Sequence, residues 1–540
     1  MTVFSSRIDR QSETFQKNYA EMSALVAKLK ELNARAPAKS AARKERFDKR
    51  GQLIPRERLA RLLDPGMPYL EIGNLAGYLL DTTIEEKSIP GSTIMSGIGF
   101  IAGVRCVIVT DDSAIKAGSM THAGGYRLQR AQEIALQQKL PFIHLVESAG
   151  GDLMNYTVEG FIRGGTLFAN LARLSKAGLP VISILHGSST AGGAYMPGLS
   201  DYVVAVKERG KAFLAGPPLL KAATGEIATD EELGGAHMHA TVTGLADYLA
   251  NDDGEAIVLT REIVNRLGWN RHATRPSLND SRPPTYDPDE ILGIVSPDYK
   301  IPYDVREVVA RYVDGSDFTD FKPDYGLSTI CMQAEIFGMP CAIIGNNGPI
   351  DPDGATKATH FIQLCDQAQV PLIFQQNTTG YLVGKAYEQA GMIKHGSKMI
   401  QAVTNTSVPR ITLMTGASFG AGNYGMCGRG YDPDFCMSWP NGATGVMGGE
   451  QAAKVMSIVA EGQAQRAGTQ IDPQQSQMQE KMLTHLFDSQ SSAFYTSGHC
   501  LDDGMIDPRE TRNTLGFLLG TVLEGRTRTV NPNSFGVARP

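Results

Sequence analysis

The sequence has no run of about 18 apolar residues, so it offers no conventional membrane span. Its first residues carry Asp9 and Glu13 and no apolar stretch, which is unlike a secretory signal. Paired cysteines are missing too. Cys106, Cys331, Cys341, Cys365, Cys427, Cys436 and Cys500 stand singly, without a CxxC, which excludes a zinc ribbon or a disulfide framework. Several sit in apolar runs such as "GVRCVIV" and "MPCAII", where a thiol acts as a small buried hydrophobe. A reducing, cytoplasmic compartment is expected. Nor is there a strong charge of either sign: a net charge of −6 over 540 residues argues against nucleic acid as the main partner.

What is present is glycine, 58 residues, well above the usual share of about 7%. The length exceeds the roughly 250 to 300 residues over which one core keeps growing, so two large domains are expected. Met22, Leu25, Leu29 and Leu32 recur at helical spacing and predict an amphipathic amino-terminal helix. Between Arg35 and Arg61, Arg43, Lys44, Arg46, Lys49, Arg50, Arg56 and Arg58 outnumber the acids. This is either a solvated face or an anion contact. Beyond the Asp64-Pro65-Gly66 turn signal the texture is α/β.

That texture repeats. "FIAGVRCVIVTDD" (100–112) resembles "IFGMPCAIIGNNG" (336–348), placing Cys106 against Cys341, and Pro141 falls against Pro371. "KAGLPVISILHGSSTAGGAY" resembles "NTSVPRITLMTGASFGAGNY", placing Pro180 against Pro409, Gly193 against Ala421 and Thr190 opposite Ser418. Apolar runs such as "PVISIL" and "RITLM" predict parallel strands covered on both faces, ending in glycine turns where open α/β sheets usually bind ligands. A Pro- and Asp-rich linker, 275–290, separates the halves.

Several short motifs fail on spacing or company. "GASFG" (416–420) has the form of a nucleophile elbow, but only His485 and His499 follow it. "GYLVGKA" (380–386) is too short between glycines for a P-loop. His237 and His239 share a face if extended, a possible metal pair with no third ligand at a recognisable spacing. His122, His144 and His186 read as structural. The glycine turns Gly192-Gly193 and Gly420-Ala421 remain. Either they allow close helix packing, or their unpaired amides form oxyanion holes that stabilise charge on a ligand oxygen.

The residues resemble one family: the carboxyltransferase β subunits of biotin-dependent acyl-CoA carboxylases. The likeness runs from "RERLARLLDPG" (56–66) through "STAGGAYMPGLSD", "FLAGPPLLKAATGE", "NTTGYLVGKAYE" and "FGAGNYGMCGRGYDP" to "VMGGEQAA". "GAGNYGMCGR" and "WPNGATGVMGGEQAA" are similar to the methylcrotonyl-CoA and geranyl-CoA branch. The resemblance implies two tandem crotonase-like domains, 31–275 and 290–540, after a helical extension, 1–30. It implies active sites formed between the first domain of one subunit and the second domain of another.

By the same resemblance, Gly192 and Gly193 hold the thioester enolate oxygen, with Ala191, Ala194, Tyr195 and Gly164 contacting substrate. Gly420 and Ala421 hold the ureido oxygen of biotin, with Phe419, Gly422 and Tyr424 around it. Carboxybiotin then donates CO2 to the γ-carbon of an α,β-unsaturated acyl-CoA, without a metal in this subunit. Gly164 stands where methylcrotonyl-specific relatives carry phenylalanine, which favours geranyl-CoA, with 3-methylcrotonyl-CoA as the alternative. Helix packing would also explain that glycine. A crotonase-type hydratase is a more distant alternative and needs a carboxylate base beside Gly192-Gly193. Lacking a Met-Lys-Met biotinylation site and an ATP-binding domain, the chain implies a separate biotin-carrying α subunit with biotin carboxylase activity, in an assembly such as α6β6.

Overall fold

Two sheets repeat one order of strands in this computed structural model, which describes residues 3–80, 82–91, 93–270, 272–273, 281–468 and 472–537. Residues 275–280 of the linker lie outside that set. The first half supplies β1 (Leu70–Ile72), β2 (Ile94–Ile101), β3 (Val104–Asp111), β4 (Phe142–Val146), β5 (Val181–Leu185), β6 (Ser188–Thr190), β7 (Tyr202–Val206), β8 (Lys211–Phe213) and β9 (Tyr248–Ala250). Its main sheet runs β1-β2-β3-β4-β5-β7-β9, and β6 pairs separately with β8. The second half supplies β10 (Phe318–Asp320), β11 (Thr329–Ile336), β12 (Met339–Asn346), β13 (Leu372–Thr378), β14 (Arg410–Phe419), β15 (Phe435–Ser438) and β16 (Ala443–Gly445). They run β10-β11-β12-β13-β14-β15, with β16 also on β14.

The runs that predicted parallel pairing, β5 and β14, are parallel to their neighbours. Each sheet instead opens with antiparallel strands, β1-β2-β3 and β10-β11-β12. The reason is a two-residue hairpin in each half, Ala102-Gly103 and Phe337-Gly338, with both residues at positive φ as such tight turns require. Cys106 and Cys341 each stand third in the strand after that hairpin, and both are buried.

The structure corrects the register further on. β5 begins at Val181 and β14 at Arg410, an offset of 229, and the turns that follow begin at Ala191 and Gly420 with the same offset. Ala191 (φ +54°) and Gly420 (φ +55°) share the left-handed backbone. The register of Pro180 on Pro409 therefore continues through the turn. Gly192 stands against Ala421 and Gly193 against Gly422, one residue from the expected match.

The chain divides into two units. One comprises Met1–Lys30, Pro276–Ser497 and Leu501–Gly520; the other Glu31–Arg275, Gly498–Cys500 and Thr521–Pro540. Buried ion pairs explain the discontinuity. Arg311 binds Glu307, Glu290 and Ser6 Oγ, securing the first residues to the unit of the second sheet. Glu524 pairs with Arg105 at 2.7 Å and with Arg528, which donates to the Gln138 carbonyl, fastening the last segment to the unit of the first sheet. Each unit has its own core, one around Ile108, Ile143, Ile182 and Val204, the other around Ile344, Phe361, Phe374 and Met399. The amino-terminal helix Glu13–Ala41 buries Met22, Val26, Leu29 and Leu32, with Leu25 only half-buried at the edge of the stripe. No helix among the described residues is long and apolar enough to cross a membrane.

Candidate active site

At the first glycine turn, β6 leads into a 3-10 turn, Ala191–Ala194, and a short helix, Tyr195–Gly198. The first amides of such a turn have no helical acceptor. Gly193 is closely confined: a Cβ there would lie 3.2 Å from Ser148 Cβ and 3.4 Å from the Ser148 carbonyl oxygen. Ser148 is itself fixed, donating to the Gly118 carbonyl and accepting the Thr190 N–H at its own carbonyl. A Cβ at Gly192 would press on Phe168 Cζ at 3.2 Å.

Over this turn opens a cavity of about 630 Å³. Its wall includes Ala191, Gly192, Gly193, Gly164 and an apolar set, Tyr126, Phe161, Leu167, Phe168 and Met196. Gly164 and Gly165 sit inside the helix Val158–Lys176, capped by Thr157 Oγ1. Interior glycine weakens a helix by about 0.5–1 kcal/mol. Yet a Cβ at either position would meet nothing within 4 Å, so packing within this chain does not demand glycine there. Ala194 and Tyr195 lie just past the wall, Tyr195 half-exposed and edge-on to Phe168.

The two carboxylates of the wall, Asp152 and Asp111, are committed. Asp152 accepts from Met154 N and Asn155 Nδ2 and faces Lys116. Burial alone would raise its carboxyl, but these bonds and the ammonium hold it below the usual carboxylate range. Asp111 accepts from Glu147 N and lies 3.1 Å from His144 Nε2. Asp152 is thus the opposite of the carboxylate raised toward neutrality that a hydratase base should be. Behind the turn, Arg58 pairs with Glu147 and Asp253, and Asp253 lies 2.6 Å from His186 Nδ1. Burial, aided by Arg58, pushes His186 below the ordinary imidazole range.

This network resolves part of the basic segment. Arg58 is buried and Arg56 turns to Asp112, while Lys44 and Lys49 make surface ion pairs with Glu57 and Glu45.

At the second turn, β14 runs into the helix Gly420–Gly425. A Cβ at Gly420 would lie 3.2 Å from the Val446 carbonyl oxygen, and one at Gly422 would fall 2.8 Å from Gly380 Cα. Here glycine serves close helix packing as well as turning. Phe419 is buried edge-on to Tyr299 at 5.0 Å, whereas Tyr424 is half-exposed beside Tyr431.

Two short-motif readings are corrected. Ser418 of the elbow motif is wholly buried inside β14, held by Gln376 and by Asn423 Nδ2, so no exposed nucleophile exists there. The His237–His239 segment is helical, Ala236–Thr241, which turns the two rings apart. His239 bonds the Ala212 carbonyl and Thr243 Oγ1, and His237 is exposed. Burial pushes the Cys427 thiol up to about 11, which makes it a poor nucleophile.

Comparison with known proteins follows the same lines. The model of the carboxyl transferase domain matches residues 46–533. The "Probable biotin-dependent acyl-coenzyme A carboxylase beta2 subunit" of Mycobacterium tuberculosis is 46% identical, over 99% of this chain and all of the relative. The mitochondrial methylcrotonoyl-CoA carboxylase beta chain of Dictyostelium discoideum is 41% identical, over 99% of this chain and 91% of the relative. The crystal structure of the P. aeruginosa geranyl-CoA carboxylase beta subunit superposes with a TM-score of 0.92 at 50% identity, covering both chains fully.

Proposed function

The chain belongs to the carboxyl transferase family, as the β component of a biotin-dependent acyl-CoA carboxylase with two crotonase-type domains, and from that premise we propose that it carboxylates the γ-carbon of geranyl-CoA. The observation that carries the substrate is Gly164, where a Cβ would meet open space in the wall of the cavity over Gly192-Gly193. A ring at that position would take up room that a longer acyl chain needs.

In this reading the Gly192 and Gly193 amides hold the thioester oxygen as it gains enolate character, which acidifies the conjugated γ-carbon proton. Fixed donors aimed at developing charge act without reorganising, and losing one costs about 10²–10³ in rate. Ala191 sets the direction of those amides through its left-handed backbone, while Phe168 and Met196 keep water from the reacting carbon. Gly420 and Ala421 hold the ureido oxygen, with Phe419, Gly422 and Tyr424 forming the surround. The fit there rests on the bare Gly420 backbone, where any side chain would crowd the Val446 carbonyl. When bound, carboxybiotin supplies the CO2 and takes up the proton. The biotin reaches the site on a separate α subunit with biotin carboxylase activity, in a cytoplasmic α6β6 assembly whose sites use the first domain of one β subunit and the second of another.

The test is ATP- and biotin-dependent fixation of labelled bicarbonate by this chain with its α subunit. Geranyl-CoA should exceed 3-methylcrotonyl-CoA in kcat/KM. Activity on 3-methylcrotonyl-CoA alone would keep the chemistry and reverse the substrate, and no fixation on any acyl-CoA would remove the whole reading.

A further inference from the structure

Two adjacent parallel strands place Asp111, the last residue of β3, beside His144 in β4, and both side chains line the cavity. His144 is only 2% exposed. Its Nε2 lies 3.1 Å from Asp111 Oδ1, and Asp111 Oδ2 accepts the Glu147 N–H at 3.0 Å. A carboxylate only accepts, so the pair assigns the ring proton to Nε2 and leaves Nδ1 with a bare lone pair. That Nδ1 is buried and has no hydrogen-bond partner. Buried acceptors are nearly always paired, and leaving one unmade destabilises. The atom therefore calls for a donor brought by whatever enters the cavity.

Resting on the acyl-CoA reading above, that donor has a chemical identity. The terpenoid acyl chain is hydrocarbon, and the thioester carries only acceptors. The first donor along the ligand is the cysteamine amide N–H, two methylenes beyond the sulfur. We propose that His144 Nδ1 accepts this N–H, with Asp111 as the positioning residue that fixes the tautomer. The bond registers the pantetheine arm relative to the amides of Gly192 and Gly193.

The experiment is direct titration of the intact β subunit with geranyl-CoA and with an analogue carrying an ester oxygen in place of that N–H. His144→Gln keeps a donor near Asp111 and removes the acceptor, whereas His144→Asn places an oxygen near the Nδ1 position and gives up the Asp111 contact. The glutamine variant should bind geranyl-CoA about tenfold more weakly, and the asparagine variant should recover part of that loss. The ester analogue should lose about tenfold on the unsubstituted chain and nothing further on His144→Gln.

A merely structural role reverses the order of the two variants and leaves analogue discrimination equal in all three proteins, which overturns the inference. Equal binding of thioester and analogue by the unsubstituted chain does the same while leaving the proposed function intact. No binding of any acyl-CoA, together with no bicarbonate fixation, removes both.

Discussion

The two glycine turns share a backbone and differ in what surrounds them. Ala191 and Gly420 adopt nearly the same left-handed φ at matching places. The first turn opens on a large cavity whose wall contains glycines without neighbours, while the glycines of the second are pressed against Gly380 and the Val446 carbonyl. A duplicated turn thus keeps its amides while the space in front of them diverges. Under the proposed function, oxygen recognition falls to the shared part and ligand size to the part that differs.

The largest effect should come from filling the shared part. Gly193→Val places a branched side chain against Ser148 and should lower carboxylation of geranyl-CoA by about 10²–10³, with acyl-CoA binding weakened too. Gly420→Val meets the Val446 carbonyl and the left-handed φ, and should lower carboxylation comparably while geranyl-CoA titration of the β subunit is unchanged. Loss of acyl-CoA binding in both variants would erase the division of labour between the turns. Next is Gly164→Phe, which changes only the differing part. It should depress kcat/KM for geranyl-CoA by about 10- to 200-fold, the range a hydrophobic pocket discriminates, and spare 3-methylcrotonyl-CoA. Equal loss on both substrates would mean the ring does not enter the acyl space.

The duplication was legible because strands and turns carry periodic apolar runs and glycine, which survive as pattern. Its last step was misread by one residue because Gly and Ala recur through both turns and several registers match small side chains equally well, whereas the left-handed backbone aligns Ala191 with Gly420. Conformation, not composition, sets that register. The cavity was only partly legible. Gly164 was found through the family pattern, but Tyr126, Phe161, Phe168 and Met196 come from separate elements and have no shared spacing. His144 reads as one more strand residue until β3 brings Asp111 beside it. The discontinuous units were hidden because ion pairs such as Arg105–Glu524 join residues far apart in the chain.

Asp152 and Asp502, one acid from each half, extend the comparison to pH. Asp152 beside the cavity is held low, whereas Asp502 in the second half is 5% exposed and burial pushes it up to about 6, despite bonds from Ser497 Oγ and Ser438 Oγ. A carboxyl whose folded value exceeds its unfolded value binds its proton more tightly when folded. Its contribution is fully present below about pH 4 and is lost as pH rises through 6. A rise from about 4 to about 6 corresponds to about 3 kcal/mol. Asp502→Asn should therefore flatten the pH dependence of unfolding between about 4 and 6, as measured by urea denaturation. A slope unchanged from that of the unsubstituted chain would assign the titration elsewhere.

The smallest effect is the most direct contrast between the halves. Gly164→Ala adds a methyl that meets nothing within 4 Å in the middle of a helix, so it should stabilise by about 0.5–1 kcal/mol. Gly422→Ala adds the same methyl 2.8 Å from Gly380 Cα and 3.0 Å from Thr378 Cγ2, so it should destabilise, because backbone there must move. Thermal unfolding of the two variants should shift in opposite directions. If Gly164→Ala instead lowered the melting temperature of the β assembly, the glycine would be serving a contact with another subunit, and the open wall over Gly192-Gly193 would owe its shape to packing rather than to the ligand.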